Sequence, residues 1–262
     1  MTGLSLRAED VTLGYGGPAA VVTGLDLEVR AGEVLVVVGP SGCGKSTLLR
    51  AFAGLLPVRA GRVLADGEPI TGPSRDRALV FQDDALLPWR NARRNVELPL
   101  AMRGVPRGRR RDQAAQWLGR VGLDDAGDRL PRELSGGMRQ RVQLARTLAG
   151  APRAVLMDEP FGALDAQTRA GMQRLLVEVL SDAPATVVFV THDVDEALLL
   201  GDRVVVLGPA GIAAEVTVPN PRAPREAGAG VGAGSGDGVE VEELRDRILV
   251  ALGARGEAKE TV

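Results

Sequence analysis

Lysine is almost absent from this chain. Lys45 and Lys259 stand alone among 32 basic residues, all the others being arginine. Lys45 lies in Gly39-Pro40-Ser41-Gly42-Cys43-Gly44-Lys45-Ser46-Thr47, which meets the pattern G-x-x-x-x-G-K-[ST]. A compact ammonium fits between phosphate oxygens inside a ring of backbone amides, where a planar guanidinium is too broad. The glycines let N–H groups converge on an anion, and a helix starting near Ser46 adds its positive end. Lys45 would reach the β- and γ-phosphates and the Ser46 hydroxyl would sit on Mg²⁺. A glycine-rich turn without a ligand is the alternative, and the loop by itself leaves kinases, GTPases and ATPases open.

A second stretch narrows the choice. About ninety residues beyond Lys45 comes Leu134-Ser135-Gly136-Gly137-Met138-Arg139-Gln140-Arg141. Two glycines ahead of a helix, with a serine hydroxyl beside them, rebuild an anion-binding helix terminus. One nucleotide does not need two such sites in one subunit, so the second is expected to face the nucleotide of another copy. An N-capped helix with permissive glycines is the alternative.

The elements that must position these residues follow from periodicity. Leu4–Leu13 and Val21–Val29 alternate apolar and polar residues as half-exposed strands do. Val34–Val38 is a continuous apolar run, and Ala154–Asp158 and Val187–Thr191 are apolar up to their last residue, the mark of strands buried on both faces. Helices are expected over Ser46–Ala53, Arg139–Leu148, Gln167–Leu180 and Val194–Leu200. Strands alternating with helices predict an α/β fold with a mostly parallel, doubly wound sheet and a helical insert over about residues 83–149. His192 would then stand at the carboxyl end of a core strand, where ligands of open α/β sheets gather. Arg222–Gly238 reads as a flexible Pro/Gly/Ala-rich linker and Val239–Leu252 as a short terminal helix, giving a main domain over 1–221 and an appendage over 222–262.

Composition sets outer limits. A net charge of −2 exerts no global pull on nucleic acid, and the basic run Arg107–Arg111 has no interleaved aromatic residues for base stacking. No nucleic-acid partner is expected. The single Cys43 precludes an internal disulfide and suits a reducing compartment; a small tolerated side chain is its default role and redox chemistry the alternative. The longest apolar runs are too short to cross a bilayer, so any membrane link must pass through a partner.

Taken together, GPSGCGKST, LSGGMRQR and Val155-Leu156-Met157-Asp158-Glu159-Pro160 resemble the ATP-binding subunits of ABC transporters, over about Leu4–Leu207. The resemblance implies the ABC form of the P-loop NTPase fold, which adds an N-terminal antiparallel β region, with ATP and Mg²⁺ as ligands. It implies that Tyr15 stacks on adenine, that Asp158 holds Mg²⁺, and that Glu159 is the general base. Gln82 would sense metal and γ-phosphate, and His192 would contact the γ-phosphate. Asp165 falls in the segment that meets the second subunit, whose Ser135, Gly136 and Gly137 would close the site of the first.

One ATPase unit without membrane spans is similar to the detached subunit of a prokaryotic importer, a homodimer on the cytoplasmic face of the membrane beneath two permease subunits. Phe81–Asn91 and Asp158–Arg169 are similar to the nitrate, sulfonate and taurine group, with Leu86, Leu87, Pro88 and Trp89 as an apolar patch for the permease. A solute-binding protein outside the membrane would be an indirect partner. A non-transport ABC ATPase, or an importer subunit for another small solute, is the alternative.

Overall fold

The computed structural model describes residues 3–17, 19–182, 185–219 and 237–253. Two sheets form the framework. The first is antiparallel, in the order β2-β1-β4-β5, from β1 (Leu6–Leu13), β2 (Val22–Val29), β4 (Ala60–Ala65) and β5 (Glu68–Pro69). The second has the order β10-β9-β3-β8-β7-β6, from β3 (Val34–Val38), β6 (Arg77–Val80), β7 (Ala154–Asp158), β8 (Thr186–Val190), β9 (Arg203–Gly208) and β10 (Gly211–Thr217). Within it β9, β3, β8, β7 and β6 run parallel, and β10 returns antiparallel to β9.

The continuous apolar run of β3 has a direct cause. Leu35 and Val37 face the core shared with the antiparallel sheet and α1 (Lys45–Ala53). Val34, Val36 and Val38 face the opposite core, with α5 (Ala166–Asp182) and α6 (Val194–Leu200). A strand covered on both faces has no polar side to alternate with. β1 and β2 are covered on one face only, and their burial alternates accordingly.

Between β6 and β7 the chain forms a helical layer: α2 (Ala92–Met102), α3 (Arg107–Arg120) and α4 (Gly136–Ala149). These share a core of their own, built on Val96, Leu100, Leu118 and Val142. The basic run Arg107–Arg111 forms the first turns of α3, which has an exposed outer face. A last helix, α7 (Asp237–Ala251), packs on α6 and β10 with Leu244 and Ile248 buried. Most of the linker read at 222–238 lies outside the described residues.

Sequence periodicity locates α1, α4, α5, α6, α7 and the core strands β3, β7 and β8 to within a few residues, and gives α2 and α3 only as part of a helical insert. It does not mark the β9–β10 hairpin, although Val204–Leu207 is fully buried and β9 pairs directly with β3. Among the described residues no helix is long and apolar enough to cross a membrane.

Candidate functional site

The phosphate loop hangs between the carboxyl end of β3 and α1. Gly42 and Gly44 adopt left-handed backbone, with φ of +82° and +104°. These turns aim the loop inward before Lys45 begins the helix. Lys45 is buried, and its Nζ donates to the Gly39 carbonyl at 2.7 Å and the Pro40 carbonyl at 2.9 Å. An ammonium has three N–H donors, so a third remains for an anion. Leu48, Leu49 and Phe52 bury the other side of α1 and fix the loop to the core.

The carboxylates come from the end of β7, next to the loop although more than a hundred residues from it in sequence. The Ser46 hydroxyl donates to Asp158 Oδ1 at 2.8 Å. Burial pushes the Asp158 carboxyl above the usual range; Ser46 opposes this and the Glu159 charge adds to it. The pair offers hard oxygen atoms side by side, the donor type that Mg²⁺ takes along with substrate phosphates.

Glu159 stands in a left-handed conformation, φ 45°, held by its N–H donating to the Val190 carbonyl at 3.0 Å. Such backbone is uncommon for a residue with a side chain and occurs where function fixes a side chain's direction. Here the carboxylate is turned toward the end of β8, and Oε2 lies 3.2 Å from His192 Nδ1. A Cβ built on Gly162 would come within 3.6 Å of Glu159 Oε2 and 3.8 Å of Gln82 Nε2, so Gln82 and Glu159 converge on the same point.

Gly39, Pro40, Ser41, Lys45, Glu159 and His192 therefore line one cavity of about 550 Å³, joined by Leu252. Tyr15 approaches from the side: its hydroxyl lies 3.4 Å from Thr47 Oγ1 and accepts from Arg50 Nη1 at 3.0 Å. Its ring is partly exposed, with the Arg50 guanidinium 5.8 Å from the centroid. Cys43 is buried beneath the loop.

Ser135, Gly136 and Gly137 do not line that cavity. Ser135 caps α4, its Oγ accepting from the Met138 N–H at 3.3 Å, and Gly137 faces the start of α5, where a Cβ would come within 2.7 Å of Thr168 Cγ2. Asp165 is engaged there too. It accepts from the Thr168 N–H at 3.0 Å and hydroxyl at 2.6 Å, bonds that hold its carboxyl below the usual range. Leu86 is interior, so the apolar surface expected over Leu86–Trp89 narrows to Leu87, Pro88 and the largely exposed Trp89.

Gln143 and Arg146, unlike Arg139, belong to none of the motifs. Arg139, Gln143 and Arg146 lie on one face of α4 and grip the segment that carries Gln82. Arg139 pairs with Asp84 at 2.7 Å, Gln143 Nε2 donates to the Phe81 and Asp83 carbonyls, and Arg146 donates to the Ala85 carbonyl at 2.8 Å. Their spacing of four and three residues is the available signal. The helix that presents Ser135 is thus tied to the loop that presents Gln82.

Comparison with known proteins supplies the family. The family model described as ABC transporter matches residues 22–162. A taurine import ATP-binding protein of Chromobacterium violaceum is 49% identical over 206 residues, 78% of this chain and 79% of that protein. A nitrate import ATP-binding protein of Synechococcus elongatus is 47% identical over 214 residues, 79% of this chain but only 32% of that longer protein. Among solved structures, the dimeric ATP-binding cassette MJ0796 in a post-hydrolysis state with ADP and Pi superposes with a TM-score of 0.72 at 31% identity, over 82% of this chain and 99% of its own. On sequence and fold, this chain belongs to the ABC transporter family of ATP-binding cassettes.

Proposed function

We propose that this chain is the ATP-hydrolysing subunit of an ABC importer for a small solute of the taurine, sulfonate or nitrate type. Two copies would act together on the cytoplasmic face of the membrane beneath permease subunits. The observation that carries the shared-site reading is a separation. Ser135 caps its own helix, and Ser135–Gly137 are not among the residues that line the phosphate cavity of the same chain. A partner's Ser135 hydroxyl and glycine amides would close the cavity that holds Lys45. The solute class follows from the relatives' names, and Trp89 with its neighbours supplies the apolar surface for the permease. Residues 1–221 make up the ATPase domain and 222–262 an appendage.

In-line phosphoryl transfer asks little covalent chemistry of a protein; positioning and charge stabilisation dominate. Tyr15 offers a ring face to adenine. The loop amides and Lys45 neutralise phosphate charge. Ser46, Asp158 and Gln82 would hold Mg²⁺, which would supply positive charge against the charge developing on the phosphate oxygens. Glu159 accepts a proton from the attacking water. His192 fixes that carboxylate through Nδ1 and faces the cavity beside Lys45.

The test is turnover per subunit against protein concentration, with oligomeric state measured alongside. Shared sites give a specific rate that rises with dimer fraction. A rate that stays flat in a demonstrably monomeric sample refutes them.

A further inference from the structure

The motif reading leaves one lining residue of the phosphate cavity without a role. Leu252 lies about sixty residues beyond His192 and outside every nucleotide motif, yet it faces the cavity formed by Gly39–Ser41, Lys45, Glu159 and His192. We propose that α7 is part of the nucleotide site, with Leu252 as the apolar outer wall of the phosphate cavity. This assignment rests on the reading that the cavity holds the triphosphate.

The position of Leu252 is fixed by the fold. Its N–H donates to the Ile248 carbonyl at 2.9 Å, and Gly253 turns the chain out of the helix at φ +78°, a conformation suited to glycine. One and two turns earlier, Ile248 and Leu244 are buried in the core that contains Val194 and Leu198 of α6. Arg245 Nε reaches Asp195 Oδ1 at 3.1 Å. Asp195 stands three residues after His192, and its N–H donates to Asp193, which caps α6. The end of α7 is therefore clamped to the helix that carries the histidine loop.

An apolar wall has a physical consequence at this place. It keeps water from one side of the phosphates, and charge interactions with Lys45 strengthen as local water is excluded. The ABC transporter model ends its match at residue 162, far before α7. The MJ0796 cassette matches over 99% of its length yet only 82% of this chain, so the remainder has no counterpart there.

The assignment is tested with two opposite charges at one position, Leu252→Asp and Leu252→Lys in the full chain, titrated with ATP by calorimetry. A side chain facing the triphosphate makes the sign of its charge matter. Leu252→Asp binds ATP about tenfold more weakly than Leu252→Lys at low salt, and the gap narrows as salt rises. Equal affinities in two variants with parental unfolding midpoints overturn the assignment of α7 and leave the proposed ATPase intact. A parent chain that binds no ATP overturns both. Should either charged variant unfold, Leu252→Cys replaces them, with the parent chain and its buried Cys43 as the control for background labelling: ATP slows the added modification by a thiol reagent several-fold, and a rate indifferent to ATP overturns the proposal.

Discussion

Alanine at Gly44 and alanine at Gly42 should have very different consequences, although both glycines belong to the same loop and both have positive φ. At Gly44 the backbone sits at φ +104°, beyond the left-handed well that side chains tolerate, and a Cβ would overlap Val22 Cγ2. Val22 is a buried strand residue whose branched side chain has little rotamer freedom with which to yield. Backbone strain of about 1–3 kcal/mol then adds to overpacking of about 1–3 kcal/mol. The sum, roughly 2–6 kcal/mol, is a large share of the stability of an ordinary domain. At Gly42 the φ is +82° and a Cβ meets nothing within 4 Å, leaving strain alone, about 1–2 kcal/mol. Chemical denaturation of both variants without nucleotide, with ATP binding measured in parallel, reads the difference. Gly42→Ala folds and retains ATP binding; Gly44→Ala is much less stable and binds poorly. Losses that agree to within about 0.5 kcal/mol would show that the packing of the loop against β2 does not govern its shape.

Two further substitutions probe the chemistry and its support. Glu159→Gln keeps the size of the side chain and an oxygen for His192 Nδ1 but removes the proton acceptor, so steady-state hydrolysis falls about 10²–10⁴-fold while ATP still binds; a rate within threefold of the parent would remove Glu159 from the general-base role. Glu196, buried beneath the histidine loop, has its carboxyl pushed above its ordinary value of 4.5, chiefly by burial, against bonds from Thr191 and from Gln173 at 2.9 Å. A raised folded-state pKa means that the folded protein binds this proton more tightly than the unfolded chain does. Its contribution to stability is full below 4.5 and is lost as pH rises through the folded-state value. Glu196→Gln should therefore raise the unfolding midpoint at neutral pH, with an advantage that shrinks toward pH 4.5; a variant less stable than the parent at pH 7 contradicts this.

Much of the site was legible because nucleotide chemistry is local. The phosphate loop, the Asp158–Glu159 pair and the Ser-Gly-Gly helix start each need particular residues within a few positions, and each stands at the end of an element that periodicity reveals. The edges of the architecture were less legible. β9 carries the same apolar run as β3, but its place beside β3 is a long-range pairing with no local signature. Leu86 reads as surface beside Pro88 and Trp89, and only the closing of the helical layer turns it inward. The grip of Arg139, Gln143 and Arg146 on the Gln82 segment joins residues some sixty positions apart, mostly through backbone carbonyls that any sequence would present.

By itself the sequence determined which groups are offered to the proposed nucleotide site: one ammonium among arginines, adjacent carboxylates, one histidine, one tyrosine, and a second helix terminus of anion-binding type. Side-chain chemistry and short-range backbone geometry suffice for that, and both are written locally. The tertiary structure alone decided where these groups meet. Parallel strands set Lys45, Glu159 and His192 on the rim of one cavity, the helical layer leaves Ser135–Gly137 out of its lining, and the packing of α7 on α6 brings Leu252 to its wall. Those placements depend on strand order and on the packing of α6 and α7 against a shared core, contacts between residues too distant in sequence for any local pattern to encode.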